Sequence, residues 1–200
     1  MTRRFAPSAA RNRDPILSVL RRHLPEIGLV LEIASGTGEH AVHFAQHLAP
    51  GLIFQPSDPS EEARTSIEAW VNEVKLENLR QPLGFNVTDT YWPVERADAV
   101  LCINMIHIAP WDAAVGLIKG ASRILPASGL LILYGPYKRN GTHTAASNEA
   151  FDLDLQARNP AWGVRDLEAV AELASEHGFS AAIVEDMPAN NLTVIFRRKS

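Results

Sequence analysis

Cysteine is nearly absent: Cys102 is the only one among 200 residues, which excludes an internal disulfide and a thiolate-held metal cluster. It stands in the apolar run Val100-Leu101-Cys102-Ile103 and is expected to pack as a small buried hydrophobe. Positive charge is not in excess either. With 19 Lys and Arg against 23 Asp and Glu, a formal charge of −4, the chain has no general field with which to hold nucleic acid or an anionic membrane by neutralising phosphates. No window approaches the roughly 20 apolar residues of a spanning helix, and Met1-Thr2-Arg3-Arg4-Phe5 lacks the apolar stretch of a signal peptide. The expected location is therefore the cytoplasm. Aromatics are sparse at 7%, yet 46% of the residues are hydrophobic and 21% charged, the balance of a chain that builds a packed core. Domains usually run about 100–150 residues, so one domain over residues 1–200 is expected.

Residues 1–13 carry Arg3, Arg4, Arg11 and Arg13 without a period and read as an arm. Asp14-Pro15 then predicts a helix start, with Ile16, Leu17, Leu20 and Leu24 on one face. Leu29 to Ala34 reads as a strand, followed by a glycine turn and a helix carrying Ala41, Val42, Ala45 and Leu48. Leu52-Ile53-Phe54 is a second strand. Asp58-Pro59-Ser60-Glu61 supplies a capping box for a helix carrying Ala63, Ile67, Trp70, Val71 and Val74. Leu83 to Val87, Ala97 to Ile103 and Leu130 to Tyr134 predict three more strands, the last two separated by a helix from about Trp111 to Ile124. This alternation implies an α/β fold: a mostly parallel sheet with helices on both faces and ligands at the carboxyl ends of the strands. A helix near Arg165 to His177 precedes two strands, Ala181 to Val184 and Leu192 to Phe196. No room for a helix separates those two, so they should form an antiparallel hairpin.

The chemistry begins at Glu32-Ile33-Ala34-Ser35-Gly36-Thr37-Gly38, where the first strand meets its helix. Gly36 and Gly38 permit a tight turn and close approach of a ligand to the backbone, and the next helix offers unpaired amides. The run resembles motif I of class I methyltransferases, with Ala34 where a glycine is usual. Glu32 suits a cationic methionine moiety better than a pyrophosphate, and the dinucleotide fingerprint GxGxxG is absent. Asp58, at the end of the second strand, is placed to accept from ribose hydroxyls, and it can equally cap the helix that Pro59 introduces. Asn86, before Val87, can accept from an adenine amino group or simply cap a strand end. Asn104-Met105-Ile106-His107 follows the fourth strand. There Asn104 and Met105 are expected to support the cofactor, and His107 is the candidate general base, with a packed structural histidine as the alternative.

After the fifth strand, residues 136–165 are expected to form a long lid or substrate loop, polar through His143 to Asn148 and followed by a short helical segment with Phe151 and Leu155. In it Tyr137 is a further catalytic candidate, Arg139 and Asn140 would select substrate, and Arg158, Trp162 and Arg165 would close its base. Arg11 and Asn12 of the arm are expected at the same mouth. His40, His43 and His47 share a helix face at i, i+3 and i+7, but no carboxylate completes a shell, and no metal site is expected.

The chain as a whole resembles the group typified by methyltransferase-like protein 26, once catalogued as a domain of unknown function. The resemblance is carried by Arg11-Asn12-Arg13-Asp14-Pro15-Ile16, Leu31 to Gly38, Gln55-Pro56-Ser57-Asp58-Pro59, Asn104-Met105-Ile106-His107, Gly135-Pro136-Tyr137 and Trp162-Gly163-Val164-Arg165. In that group Ala34 is normal, whereas Asn86 stands where aspartate is more frequent. The resemblance implies a Rossmann-like class I methyltransferase fold with a seven-stranded sheet and S-adenosylmethionine as cofactor, leaving as S-adenosylhomocysteine. It brings no substrate. The expected activity is methyl transfer to a nitrogen, oxygen or sulfur of a small molecule. The rival readings are a cofactor-binding scaffold without catalysis, a nucleic-acid methyltransferase and a nicotinamide-dependent oxidoreductase. Asn104 to His107 is not the Asn/Asp-Pro-Pro-aromatic run of many enzymes that methylate base amines, and the missing third glycine and the terminal hairpin oppose the oxidoreductase.

Overall fold

A computed structural model describes residues 2–200. Helix α1 (Pro7–His23) leads into β1 (Ile27–Ile33), α2 (Glu39–His47), β2 (Gly51–Pro56) and α3 (Glu61–Val74). The chain continues through β3 (Ala99–Ile103), α4 (Trp111–Ile124), β4 (Leu130–Pro136) and a small hairpin of β5 (Lys138–Arg139) and β6 (Thr142–His143). Helices α5 (Ala146–Arg158) and α6 (Leu167–Glu176) follow, then β7 (Ile183–Met187) and β8 (Asn191–Arg197). The main sheet has the order β2-β1-β3-β4-β8-β7. Strands β2, β1, β3 and β4 run parallel, and β8 and β7 are antiparallel additions, as the absence of a helix between the last two strands predicts. No described helix is long and apolar enough to cross a membrane.

Period-two alternation divides the core between the two faces of this sheet. Val30, Leu101, Ile132 and Tyr134 face α1, α2 and α3, where Leu20, Phe44 and Ile67 are fully buried. Leu31, Val100, Leu131 and Phe196 face α4 and α6, against Leu117, Ile118 and Val170. Each fully buried aliphatic side chain contributes about 1.5–3 kcal/mol, so both faces are needed to hold a sheet whose central strands have no solvated side. Cys102 is free and 1% exposed, within the second of these cores.

Three expectations are corrected. Helix α1 starts at Pro7, not at Asp14-Pro15, and Pro15 lies inside it. Pro7 is the effective start signal: its φ suits a first turn and its missing amide costs nothing there. Pro15 removes only one internal bond, while burial of Ala9, Ile16, Leu17 and Leu20 favours the helix on both sides of it. The residues before it are docked on α3, with Arg3 paired to Glu73 at 2.7 Å, Arg4 to Glu62 at 3.0 Å, and Phe5 edge-on to Trp70.

Leu83 to Val87 is not a regular strand. Leu79 bridges Phe54 of β2 and Leu83 bridges Ser57 just beyond it, with Arg80 donating to Phe54 O and Leu83 to Pro56 O. Pro82 lacks an amide, so the ladder is broken there. With this interrupted edge the sheet has its seven positions, six of them regular strands.

Residues 136–165 are folded rather than a loop. Asn140 and Gly141 both have positive φ (48° and 75°) and close the β5–β6 hairpin, the conformation an Asn-Gly pair adopts without strain. Helix α5 contains the short helical segment expected at Phe151 and Leu155 and is longer than that, with Leu155 its only fully buried aliphatic residue. It is held instead by Asp152, which is bonded to Lys138 at 2.7 Å, to His143 at 3.1 Å and to the Val164 amide at 2.7 Å.

Between Val87 and Ala97 the chain buries Trp92 against Gly120 of α4, and a Cβ at Gly120 would overlap the Trp92 ring. Gly120→Ala should therefore destabilise the protein by about 1–3 kcal/mol through overpacking. The check is the midpoint of denaturant unfolding, and an unchanged midpoint would show that Trp92 is not seated there.

Candidate functional site

Strand β1 sends the chain to β2 on one side and has β3 on the other, so the order reverses at its carboxyl end, where such sheets leave a crevice. The turn at that point contains Ala34, Gly36 and Gly38 with φ of 54°, 57° and 90°. Ala34 holds a conformation that costs an L-residue roughly 1–2 kcal/mol, so the departure from glycine at this position is a strained residue rather than a different turn. At Gly38 a side chain is excluded as well, since a Cβ would meet the Ile67 Cα at 3.1 Å.

Asp58 holds the turn from across the crevice. One carboxylate oxygen accepts from the Gly36 amide at 3.0 Å and the other from the Ser60 amide at 2.9 Å. Ser35 donates its amide to Ser57 O at 2.9 Å, and the Ser57 hydroxyl donates to Glu32 O at 2.7 Å. The cap of α3 is Ser60, which accepts from the Ala63 amide, so Asp58 supports the cap without being it. A carboxylate has about four acceptor positions, and two here remain for a ligand.

Glu32 lies beneath the turn, 2% exposed, with Oε2 buried and without a partner. Burial, opposed by the Ser35 bond and aided by the neighbouring Asp58 charge, raises its pKa to about 7. A buried acceptor with no donor is costly, and at neutral pH a cationic ligand group is the partner that would relieve it.

Two clefts open from this crevice. One, of about 440 Å³, is lined by Ala34, Pro59, Asn86, Val87 and Met105, and the loop Ile108 to Pro110 also contributes. The other, of about 710 Å³, is lined by Ser8, Arg11, Asn12 and Pro15 of α1, by Asn104 and Tyr134, and by Asn148, Phe151 and Asn191. The consecutive residues Asn104 and Met105 thus wall one cleft each. Asn104 has a φ of 63°, which turns the chain between them. Asn86 reaches the smaller cleft, but its carbonyl oxygen already accepts from the Thr88 amide at 3.1 Å and hydroxyl at 3.0 Å, so it closes a local turn there.

The expected catalytic pair is corrected. His107 and Tyr137 are both 0% exposed and line neither cleft. His107 accepts the Arg165 amide at Nδ1 (3.2 Å) and stacks edge-on against Tyr137 with ring centroids 5.0 Å apart. Burial and then the Arg165 charge hold the His107 pKa down at about 3, so it stays neutral as part of the core. Burial likewise pushes the Tyr137 hydroxyl far up. Arg165 clamps the loop after β3 by donating to the carbonyls of Ile106, Ala109 and Ala161.

Arg139, Asn140 and Trp162, expected at the substrate mouth, line neither cleft. The Asn140 amide donates to Glu168 and the hairpin turns toward α6, while Arg158 stacks on Trp162 at 5.3 Å. Arg11 and Asn12 do line the larger cleft. Tyr134, Asn148 and Asn191 do so without having been expected. For Tyr134 the signal was available, because alternation along β4 points it to the α1 side. Asn148 and Asn191 carry no such signal. Glu39 was also missed: its Oε2 accepts from the Ala6 amide at 2.5 Å and the Thr37 hydroxyl at 2.9 Å. Among the described residues no group of histidines, cysteines and carboxylates is arranged to hold a metal. His40 and His43 are bonded instead to Asn12 and Asp14, both at short range (2.8 and 2.7 Å).

The parallel sheet with its antiparallel end strands, helices on both faces and crevice at the reversal together define the α/β Rossmann-like methyltransferase fold. Solved structures share it. An O-methyltransferase family protein from Burkholderia thailandensis superposes with a TM-score of 0.81 at 16% identity, over 96% of this chain and 58% of that one. Human N-acetylserotonin methyltransferase, solved in complex with S-adenosylmethionine, gives 0.79 at 12% identity over 96% and 53%. This chain therefore spans little more than half the length of those proteins. The YcgJ protein from Bacillus subtilis gives 0.72 at 12% identity over 96% and 99%. At these identities the likeness is one of fold. By sequence the chain belongs to the family described as "Protein of unknown function (DUF938)", which matches residues 3–198.

Buried groups at this site make stability depend on pH. The ordinary histidine value is 6.5, but burial holds His107 down at about 3, and burial followed by repulsion from His43 holds His40 down at about 4. The unfolded chain takes up these protons first, so stability is complete above 6.5 and is lost as pH falls below it. Each histidine forfeits about 2 kcal/mol at about pH 5. Glu32, raised from 4.5 to about 7, acts oppositely and returns about 2 kcal/mol over the same interval. The net loss, about 2 kcal/mol, should appear as a fall in Tm on acidification. In His107→Gln the fall should largely vanish, whatever the variant's stability at neutral pH. A fall as large as that of the wild type would mean that His107 is not buried and neutral.

Proposed function

We propose that this protein is an S-adenosylmethionine-dependent methyltransferase acting on a small molecule, similar in kind to the methyltransferase-like protein 26 group and working in the cytoplasm. The observation that carries the reading is Glu32: a buried carboxylate with an unpaired oxygen under a left-handed glycine turn, between two clefts that meet at Asn104 and Met105. Glu32 would answer the ammonium of the methionine moiety, Asp58 the ribose hydroxyls through its two free acceptor positions, and Ala34, Pro59, Asn86, Val87 and Met105 the adenine. Ser35, Gly36, Thr37 and Gly38 form the turn over which the chain of the cofactor would pass. When bound, this cofactor supplies an electrophilic methyl group on a sulfonium.

The protein's own part is binding and alignment. The larger cleft would seat an acceptor beside Asn104, and holding two reactants in register can account for about 7–11 kcal/mol of a barrier. The clamp of Arg165 on three carbonyls keeps the dividing loop in place during this alignment. A second reading, cofactor binding without catalysis, is favoured by one observation: the enclosed His107 removes the expected base. Label transfer from S-adenosylmethionine to any small-molecule pool would exclude it.

Calorimetric titration tests the central claim. S-adenosylmethionine should bind at micromolar concentration and NAD should not. Asp58→Ala should weaken binding about tenfold or more, the value of a hydrogen bond to a charged group. Glu32→Gln should weaken it similarly while raising the stability of the free protein above neutral pH by about 1–2 kcal/mol, because the ionised carboxylate is then no longer buried. Silence with S-adenosylmethionine overturns the proposal.

A further inference from the structure

The larger cleft carries an inference about the methyl acceptor, which rests on the methyltransferase reading just given. Its polar lining is uneven in kind. Asn12, Asn104, Asn148 and Asn191 present amides, Tyr134 a phenol, Ser8 and Ser147 hydroxyls and Arg11 a guanidinium, and no carboxylate, imidazole or amine lines it. The acidic side chains of the surrounding elements are turned away. On α1, Asp14 is bonded to His43 at 2.7 Å. On α5, Asp152 is bonded to Lys138 and His143, and Glu149 is outside the lining. On β7, Glu185 is bonded to Arg22 and His23, and Glu32 lies beneath the glycine turn.

Tyr134 is a donor rather than a base. It is 3% exposed, burial raises the pKa of its hydroxyl, and the Asn12 side chain approaches that hydroxyl. Asn12 is itself oriented from behind by His40, at 2.8 Å from its oxygen. With the Asn12 oxygen engaged by the imidazole, its amide nitrogen is the group that faces the phenol. The Tyr134 proton is then left for the cleft. Arg11 is exposed and has no ion-pair partner among the described residues.

A cleft with a cation and several donors but no proton acceptor of useful basicity suits a particular nucleophile. An alcohol or phenol must lose a proton during attack. An ammonium must lose one beforehand, and Arg11 repels it. A carboxylate needs neither step, since its usual pKa is about 4 and it is already ionised at neutral pH.

We propose that the acceptor is a small organic carboxylic acid, bound as the carboxylate by Arg11 and Tyr134, and that the product is its methyl ester. The carboxylate oxygen forms a bond to the methyl carbon as the carbon–sulfur bond breaks. The bonding pair passes to sulfur. The negative charge of the acid and the positive charge of the sulfonium cancel, and no proton is released. The specificity residue is Arg11, and Asn104, Asn148 and Asn191 orient the remainder of the acid.

The test uses the full chain and tritium-labelled S-adenosylmethionine with pooled aliphatic and aromatic carboxylic acids, and separately with pooled phenols, amines and thiols. Methyl esters release volatile labelled methanol in mild alkali, whereas ethers, methylamines and thioethers do not. Alkali-labile label confined to the acid pools is expected. Arg11→Met should raise KM for the acid about tenfold and weaken calorimetric binding of the same acid to the S-adenosylhomocysteine complex to the same degree. The affinity for S-adenosylmethionine alone should stay within about twofold. Two outcomes overturn the carboxylate assignment while leaving the methyltransferase reading in place: alkali-stable label, or cofactor binding with no alkali-labile label from any acid pool. A parallel loss of cofactor affinity in Arg11→Met would assign Arg11 to the cofactor instead and likewise overturn the assignment. If S-adenosylmethionine does not bind at all, the underlying reading fails first.

Discussion

Asp58 ties the glycine turn to the start of α3. Its two oxygens receive amides from the turn after β1 and from the start of α3, so one side chain helps to fix the spacing at the carboxyl ends of β1 and β2. The Ser35–Ser57 pairing and the Ser57 bond to the Glu32 carbonyl follow from that spacing, as does the left-handed path through Ala34, Gly36 and Gly38. Glu32 remains buried only while the turn stays over it. Beneath this turn Glu32 Oε2 is buried without a partner, and it is the group that a cation would satisfy.

Much of the fold was legible in the sequence because the strands are short apolar runs that must be buried on both faces, and such runs alternate with helices only in a parallel α/β sheet. The terminal hairpin followed from loop length alone. What escaped was governed by proline chemistry and by polar packing. Pro7 and Pro15 both fit a helix backbone, and pattern alone does not say which one starts it. Pro82 leaves an edge that lies alongside β2 without forming a continuous ladder. Helix α5 was legible only as a short segment at Phe151 and Leu155, because its full length is anchored through the buried Asp152 and not through an apolar stripe.

The candidate site divided along a similar line. Glu32, the glycine turn, Asp58 and the Asn104-Met105 step lie at the crevice as expected because they sit at strand ends, which the sequence marks. His107 was not readable, since a histidine four residues past a strand can point into a crevice or under it. The backbone chooses the second: Asn104 takes a left-handed conformation and the next three residues coil inward. Gly135 confirms how tight that choice is, because a Cβ there would meet the His107 ring at 2.5 Å. The asparagines of the larger cleft come from α1, β3, α5 and β8, and no local pattern could have gathered them.

The amino-terminal segment has one more property. Arg4 donates its amide to the Ser66 hydroxyl, which itself donates to the Thr37 carbonyl, and Ala6 donates to Glu39. The first residues of the chain are thus fastened to the glycine turn by a residue that is made sixty positions later. During synthesis the segment before α1 cannot take its full seat until α3 has emerged, so this side of the crevice is finished only after Ser66 has been made.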